Sequence, residues 1–271
     1  MSVAHGIKKL GVIGAGQMGL GIAYVAAVKA KVPVLLYDRS KDQVAKGLAL
    51  MDKLLDKDVK KGKIESAEAA KEARERVIVL GEEEGIKGFR DVDMCVEAAR
   101  EDFGVKATLF ASMAAELRPD AILASNTSSI SITKIAASAV PQGLQTSPET
   151  LDRARAFAVA CGKEVTTSKD VPGFVSNALL MPFLNEAIMC LEKGVATRDD
   201  IDKTLRLGMN HPMGPLTLAD FIGLDTCLAI QRTLYEGTGD SKYRPSVLLE
   251  RMVDAGWLGK KSGKGFYDYT S

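Results

Sequence analysis

Three glycines raise the first chemical question. In "VIGAGQMG", Gly14, Gly16 and Gly19 stand in G-x-G-x-x-G spacing, after an apolar run and before a helical one. That context is what the pattern needs to seat a phosphate on a helix N-terminus. Gly14 would permit the tight turn, Gly16 would let backbone approach a pyrophosphate, and Gly19 would let the helix close on the strand. Ala15, Gln17 and Met18 complete the turn and open the helix. Asp38 ends the next apolar run, 19 residues after Gly19. A carboxylate there binds ribose hydroxyls and repels an extra phosphate, so the cofactor reads as NAD. Arg39, beside it, is the one residue that argues for NADP.

A hydroxyl oxidation also needs a proton acceptor, and a neutral imidazole near pH 7 is the natural one. The chain has only two histidines. His5 precedes the first apolar run and reads as a solvated tail residue. His211, in "NHPMGP", reads as a structural residue in a turn between helices. Cys95, Cys161, Cys190 and Cys227 are too far apart in sequence for a metal knuckle or redox pair, and each lies in an apolar run. They read as buried, reduced thiols, which suits a reducing compartment. No metal site is expected.

The elements that must position these residues alternate at first. "KKLGVIG", "VPVLLYD", "RVIVL", "VDMCVEAA" and "AILASNTSS" read as strands. Their nearly unbroken apolar character implies a parallel sheet covered on both faces. Residues from about 41 to 76 read as a helical hairpin broken at Gly62, with Ser66 as a cap. Then the alternation fails. Helical patterns near residues 132–139 and from Pro148 have only "VPQGLQT" between them, where a doubly wound sheet should place a strand. Strand character returns at "KEVTTS". From Pro172 the pattern is helical, with a capping box from Thr197 to Asp200.

The expected fold is therefore α/β. A Rossmann-type doubly wound, mostly parallel sheet, short of one or more late strands, occupies 1–170. An all-helical domain for substrate binding and dimerisation occupies 171–271.

With 271 residues, 46% hydrophobic and 26% charged, the chain suits a soluble globular protein of one large domain or two ordinary ones. A net charge of +1 gives no field for nucleic acid or an anionic membrane. The apolar stretch "GFVSNALLMPFLNEAIMCL" carries Asn177, Pro182, Asn185 and Glu186, which make it a buried helix rather than a membrane span. No leader and no peroxisomal tripeptide are read, and cytoplasm is the expected location.

Taken in order, "VEAAREDFGVKATLF", "ASNTSSISITKIA", "DVPGFVSNALLMPFLNEA", "NHPMGPLTLADFIGLD" and "GWLGKKSGKGFYDY" resemble the 3-hydroxyacyl-CoA dehydrogenases, and the 3-hydroxybutyryl-CoA type in particular. The resemblance spans nearly the full length. It implies NAD-dependent oxidation of an (S)-3-hydroxyacyl-CoA thioester to the 3-oxoacyl-CoA, or the reverse; a homodimer is expected separately, because the apolar helices of the second domain exceed what about 100 residues can bury alone. By position it assigns Glu101 and Lys106 to the NAD ribose and nicotinamide side and Lys261 to the neighbourhood of the cofactor. Ser128 and Asn177 go to the substrate, and the lysines around Lys57–Lys63 to CoA phosphates. Gly104 departs from the family, which usually has a lysine there.

The resemblance also implies a catalytic His–Glu pair in a His-Phe-Phe-Asn-Pro segment and a following strand. That piece, roughly two dozen residues, belongs between Gln142 and Gly143 and is absent. Neither His5 nor His211 replaces it by position. Two other readings stand beside the enzyme: a non-catalytic NAD-binding protein of the same fold, and a hydroxyacid dehydrogenase with a lysine base. "SNALLMPFLNEA" offers no such lysine.

Overall fold

The computed structural model describes residues 5–139 and 146–270. Each apolar run that reads as a strand before residue 126 forms one. They are β1 (Leu10–Ile13), β2 (Val34–Tyr37), β3 (Val77–Val79), β4 (Met94–Glu97) and β5 (Ile122–Ser125). All pair in parallel, in the order β3-β2-β1-β4-β5. β1 and β4 are wholly buried, as the central strands of a sheet covered on both faces must be. The order reverses between β1 and β4, and ligands of such sheets bind at the carboxyl ends there.

Helices cover this sheet. α1 (Gln17–Val25) follows β1 and passes into a π-turn at Ala26–Ala30. The hairpin is α2 (Lys41–Lys60) and α3 (Ala67–Glu75). Gly62 turns the chain at φ +67°, and the Ser66 hydroxyl accepts from the Ala69 N–H at 3.1 Å. α4 (Phe103–Glu116), α5 (Ile132–Ala137) and α6 (Pro148–Ala160) complete the unit. Its core joins Leu10, Val12, Leu20, Val34, Leu36, Met51 and Phe157, among others.

The chain divides into two compact units, the first comprising residues 1–127 and 131–167, the second 128–130 and 168–271. The second is helical among its described residues: α7 (Ser176–Glu192), α8 (Arg198–Gly208), α9 (Pro215–Ile222), α10 (Leu224–Thr238) and α11 (Val247–Asp254). Its core is built on Met181, Leu184, Ile188, Leu216, Cys227, Leu234 and Leu249. Two buried carboxylates tie it together. Asp202 accepts from the Leu216 and Thr217 N–H groups at the start of α9 (2.7 and 2.9 Å). Asp220 accepts from the Phe266 and Tyr267 N–H groups, fastening the C-terminal segment. Burial raises the Asp220 carboxyl pKa, and the nearby Asp202 charge adds to it.

Three expectations are corrected. "KEVTTS" forms no strand. A strand exists only by pairing, and no described strand runs beside these residues. His5 is not a solvated tail residue: its ring meets Phe157 edge-on at 5.5 Å and its Nδ1 accepts from the Ile7 N–H. Of the four free thiols, Cys95, Cys161 and Cys227 are buried but Cys190 is only half-buried. The join between Gln142 and Gly143 lies outside the described residues. No described helix is long and apolar enough to cross a membrane.

Candidate functional site: the carboxyl ends of β1, β2 and β4

The glycine turn sits where the sheet order reverses. Gly14 adopts φ +107°, open to glycine at little cost, and a Cβ there would lie 2.6 Å from the Ala98 carbonyl oxygen. At Gly19 a Cβ would lie 1.9 Å from the Gly14 carbonyl oxygen. Both glycines are demanded by packing. Gly16 is different, because a Cβ there would meet nothing within 4 Å. It is the N-cap of α1 and makes no side-chain cap bond. The first-turn N–H groups, from Gln17 onward, have no intrahelical acceptor and carry the positive end of the helix dipole.

An open cleft of about 930 Å³ lies before this turn. Gly14, Gly16, Asp38, Arg39, Ala98 and Ala99 are among the residues lining it. Asp38 Oδ2 accepts from the Ala15 N–H and Oδ1 from the Ser40 N–H, both at 2.8 Å. The carboxylate is thus fixed at the end of β2, with its other lone pairs available to hydroxyl donors. A bare helix end, close backbone and a fixed acid fit a dinucleotide, whose bound nicotinamide supplies the hydride acceptor. Were it bound there, the N–H groups would face the pyrophosphate and Asp38 would take a ribose.

Lys106 was expected at the cofactor surface, but its side chain is wholly enclosed. Its Nζ donates to Glu97 Oε1 and Oε2 at 2.9 and 3.0 Å and lies 3.4 Å from Glu101 Oε2. Glu101 accepts from the Thr127 hydroxyl at 2.6 Å. Reading the sequence missed Glu97, which is also fully buried. The available signal was a single acid closing the otherwise apolar strand "MCVE". Neighbouring Cys95 is not a nucleophile: burial, with Glu97 adding to it, pushes its thiol pKa far up.

In the second unit the structure brings Ser128 and Asn177 together. Asn177 lies in the first turn of α7, and its Nδ2 donates to the Ser128 carbonyl at 2.9 Å. The Gly173 N–H reaches the next carbonyl, of Ser129. Lys261 donates to Asp225 Oδ2 at 2.7 Å. Burial pulls the Asp225 carboxyl pKa up, but Lys261 and backbone N–H groups outweigh it and hold it below the usual range. His211 sits 5.3 Å from the Phe183 ring. Among the described residues no group of histidines, cysteines and acids could hold a metal ion.

Fold and cleft together define a dinucleotide-dependent dehydrogenase with a helical second unit. Residues 9–143 match the family model described as 3-hydroxyacyl-CoA dehydrogenase, NAD binding domain, and residues 173–269 match its C-terminal domain. A 3-hydroxybutyryl-CoA dehydrogenase of Bradyrhizobium diazoefficiens is 45% identical over 285 residues, covering 97% of this chain and 96% of that one. A probable 3-hydroxybutyryl-CoA dehydrogenase of Deinococcus radiodurans is 46% identical, covering 96% and 100%. The crystal structure of an (S)-3-hydroxybutyryl-CoA dehydrogenase from Ralstonia eutropha superposes with a TM-score of 0.90 at 39% identity, covering 98% and 100%. The chain belongs to the 3-hydroxyacyl-CoA dehydrogenase family, and its cofactor is NAD.

Ninety-seven per cent of 271 residues is about 263, so about 22 of the 285 positions compared with the Bradyrhizobium relative have no counterpart here.

Proposed function

We propose that this chain oxidises (S)-3-hydroxyacyl-CoA thioesters, 3-hydroxybutyryl-CoA in particular, to 3-oxoacyl-CoA with NAD, or runs the reverse reaction. The observation that carries the reading is the uncapped helix end at Gly16, with Asp38 fixed beside the same cleft. In this reading Gly14, Ala15, Gly16, Gln17, Met18 and Gly19 seat the pyrophosphate, and Asp38 binds the adenosine ribose. Glu101 faces the nicotinamide side, and Lys106 acts from beneath, through the acids it holds. Lys261 belongs to the cofactor neighbourhood.

Ser128 and Asn177 position the thioester. Their mutual contact supports this, since it fixes the Ser128 backbone against the start of α7. The lysines around Lys57–Lys63 take the CoA phosphates. Two copies pair through the helical unit, a reading supported by exposed Leu179, Leu207, Met209 and Phe221. Four free thiols suit the reducing cytoplasm.

A second reading is favoured by the positions missing against the relatives. If they include the His–Glu pair that the family resemblance implies, the chain binds NAD and turns over slowly or not at all. His5 does not substitute within its unit. It lies before β1, at the opposite end of that strand from the glycine turn. Loss of a general base costs about 10²–10⁴ in rate.

The test is to follow NADH consumption with acetoacetyl-CoA, beside NADH titration of the same preparation. Turnover at ordinary enzyme rates supports the first reading. Binding without turnover supports the second. A folded chain that binds no NADH would sink both.

A further inference from the structure

We infer that Glu97 is a positioning residue for the dinucleotide cleft, holding three pieces of its wall in register through one buried carboxylate. The inference rests on the NAD reading of that cleft. Glu97 closes β4 and is in register with Ile13 of β1 on one side and Ser125 of β5 on the other. Its carboxylate receives four hydrogen bonds. Two come from Lys106 Nζ, one from the Ser125 hydroxyl at 2.5 Å and one from the Ala99 N–H at 2.6 Å.

The three donor residues belong to different parts of the wall. The Ala99 bond folds the chain back just after β4. Ala98 is thereby set so that its N–H meets the Ile13 carbonyl at 2.7 Å and its own carbonyl fills the space a Cβ at Gly14 would need. Ala98 and Ala99 line the cleft. Lys106 ties in α4, whose Val105, Thr108 and Leu109 form another part of the lining. The Ser125 bond fixes the end of β5, and Glu101 bonded to Thr127 extends the same array by one step.

Stability alone is a poor account of this arrangement. Burying two charges costs several kcal/mol each, and apolar side chains of similar volume commonly serve as well or better. What an apolar pair does not provide is direction. Three donor groups converging on one carboxylate through four hydrogen bonds fix the relative positions of a loop, a helix and a strand end.

The residue just before the same strand offers a control. Asp93, just before β4, is also a buried carboxylate, accepting from the Lys8 and Lys9 N–H groups and from Arg118. It sits at the end of the sheet away from the cleft. The experiment compares Glu97→Gln and Asp93→Asn, reading melting temperature, NADH dissociation constant and the emission spectrum of bound NADH.

Both variants are expected to melt earlier. Glu97→Gln is expected to weaken NADH binding about tenfold or more and to shift the bound emission. Asp93→Asn is expected to stay within about twofold of wild type, with unchanged emission. Glu97→Gln/Lys106→Met should weaken binding by less than the product of the two single effects, because both act through one array. Should Glu97→Gln fail to fold, Ser125→Ala removes one bond from the same carboxylate and is expected to weaken binding measurably.

Equal effects of Glu97→Gln and Asp93→Asn on NADH binding would overturn the inference. So would a wild-type dissociation constant in Glu97→Gln, or in Ser125→Ala where that variant decides. A wild-type chain that bound no NADH would instead sink the cofactor reading, and this inference with it.

Discussion

Gly16 and Gly19 stand three residues apart in one turn and are glycines for different reasons. At Gly19 an added methyl would collide with the Gly14 carbonyl. Gly19→Ala is therefore expected to lose both stability and NADH binding. At Gly16 the methyl would project into open space. Gly16→Ala is expected to fold with a loss of about 1 kcal/mol or less, an N-cap effect. Its NADH affinity should still fall about tenfold or more, because the methyl keeps the pyrophosphate from the backbone. Urea midpoints and NADH titrations separate the two. Equal loss of stability with unchanged affinity in Gly16→Ala would refute the assignment. The spacing of these glycines was legible in the sequence. So was the reading of Gly16 for a ligand and Gly19 for packing; the atoms that enforce the packing, the carbonyls of Ala98 and Gly14, were not, because only the fold brings them near.

β4 is the element on which the first unit is organised, and its two ends are held differently. Asp93 receives the N–H groups leading into β1, so it fastens two central strands together before they begin. Burial raises its carboxyl pKa, but the Lys8 and Lys9 N–H groups and the Arg118 guanidinium outweigh this and hold it below the ordinary range. A carboxyl lowered on folding stabilises the native state above its unfolded value, about 3.9, and loses that contribution as pH falls through the folded value. Asp93→Asn is thus expected to be less stable than wild type at neutral pH. The gap should narrow below about pH 4, checked by denaturation over a pH series. A constant gap across that range would show that the charge is not what matters. Such seams were hidden in the sequence, since Asp93 lies 85 residues from Lys8. The segment after α6 shows the reverse case. The β-branched character of Val165, Thr166 and Thr167 was legible, yet pairing decides whether a strand forms.

For the whole molecule, the decisive feature is the set of about 22 positions that the Bradyrhizobium relative has and this chain lacks, which the family resemblance puts between Gln142 and Gly143. Inserting the corresponding residues of the Bradyrhizobium relative between Gln142 and Gly143 is expected to raise the melting temperature. Each apolar side chain newly buried contributes about 2 kcal/mol before the entropy of ordering is subtracted. If the present chain is slow, the insertion should raise turnover about 10²–10⁴-fold. An inserted chain no more stable and no more active would show that the shorter join is a complete design.

The sequence by itself determined what is local or periodic. It determined the glycine turn and its acid, the parallel strands through β5, the capped hairpin at Gly62 and Ser66, and the change to an all-helical second half. These follow from side-chain period, backbone freedom and capping chemistry, which act over a few residues. Only the tertiary structure decided what depends on residues far apart in the chain. It withdrew Lys106 from the surface into a pair with Glu97, set Asn177 on the backbone of Ser128, and engaged Lys261 with Asp225. A buried charge must find its partner wherever the fold puts one, and no local pattern states where that is.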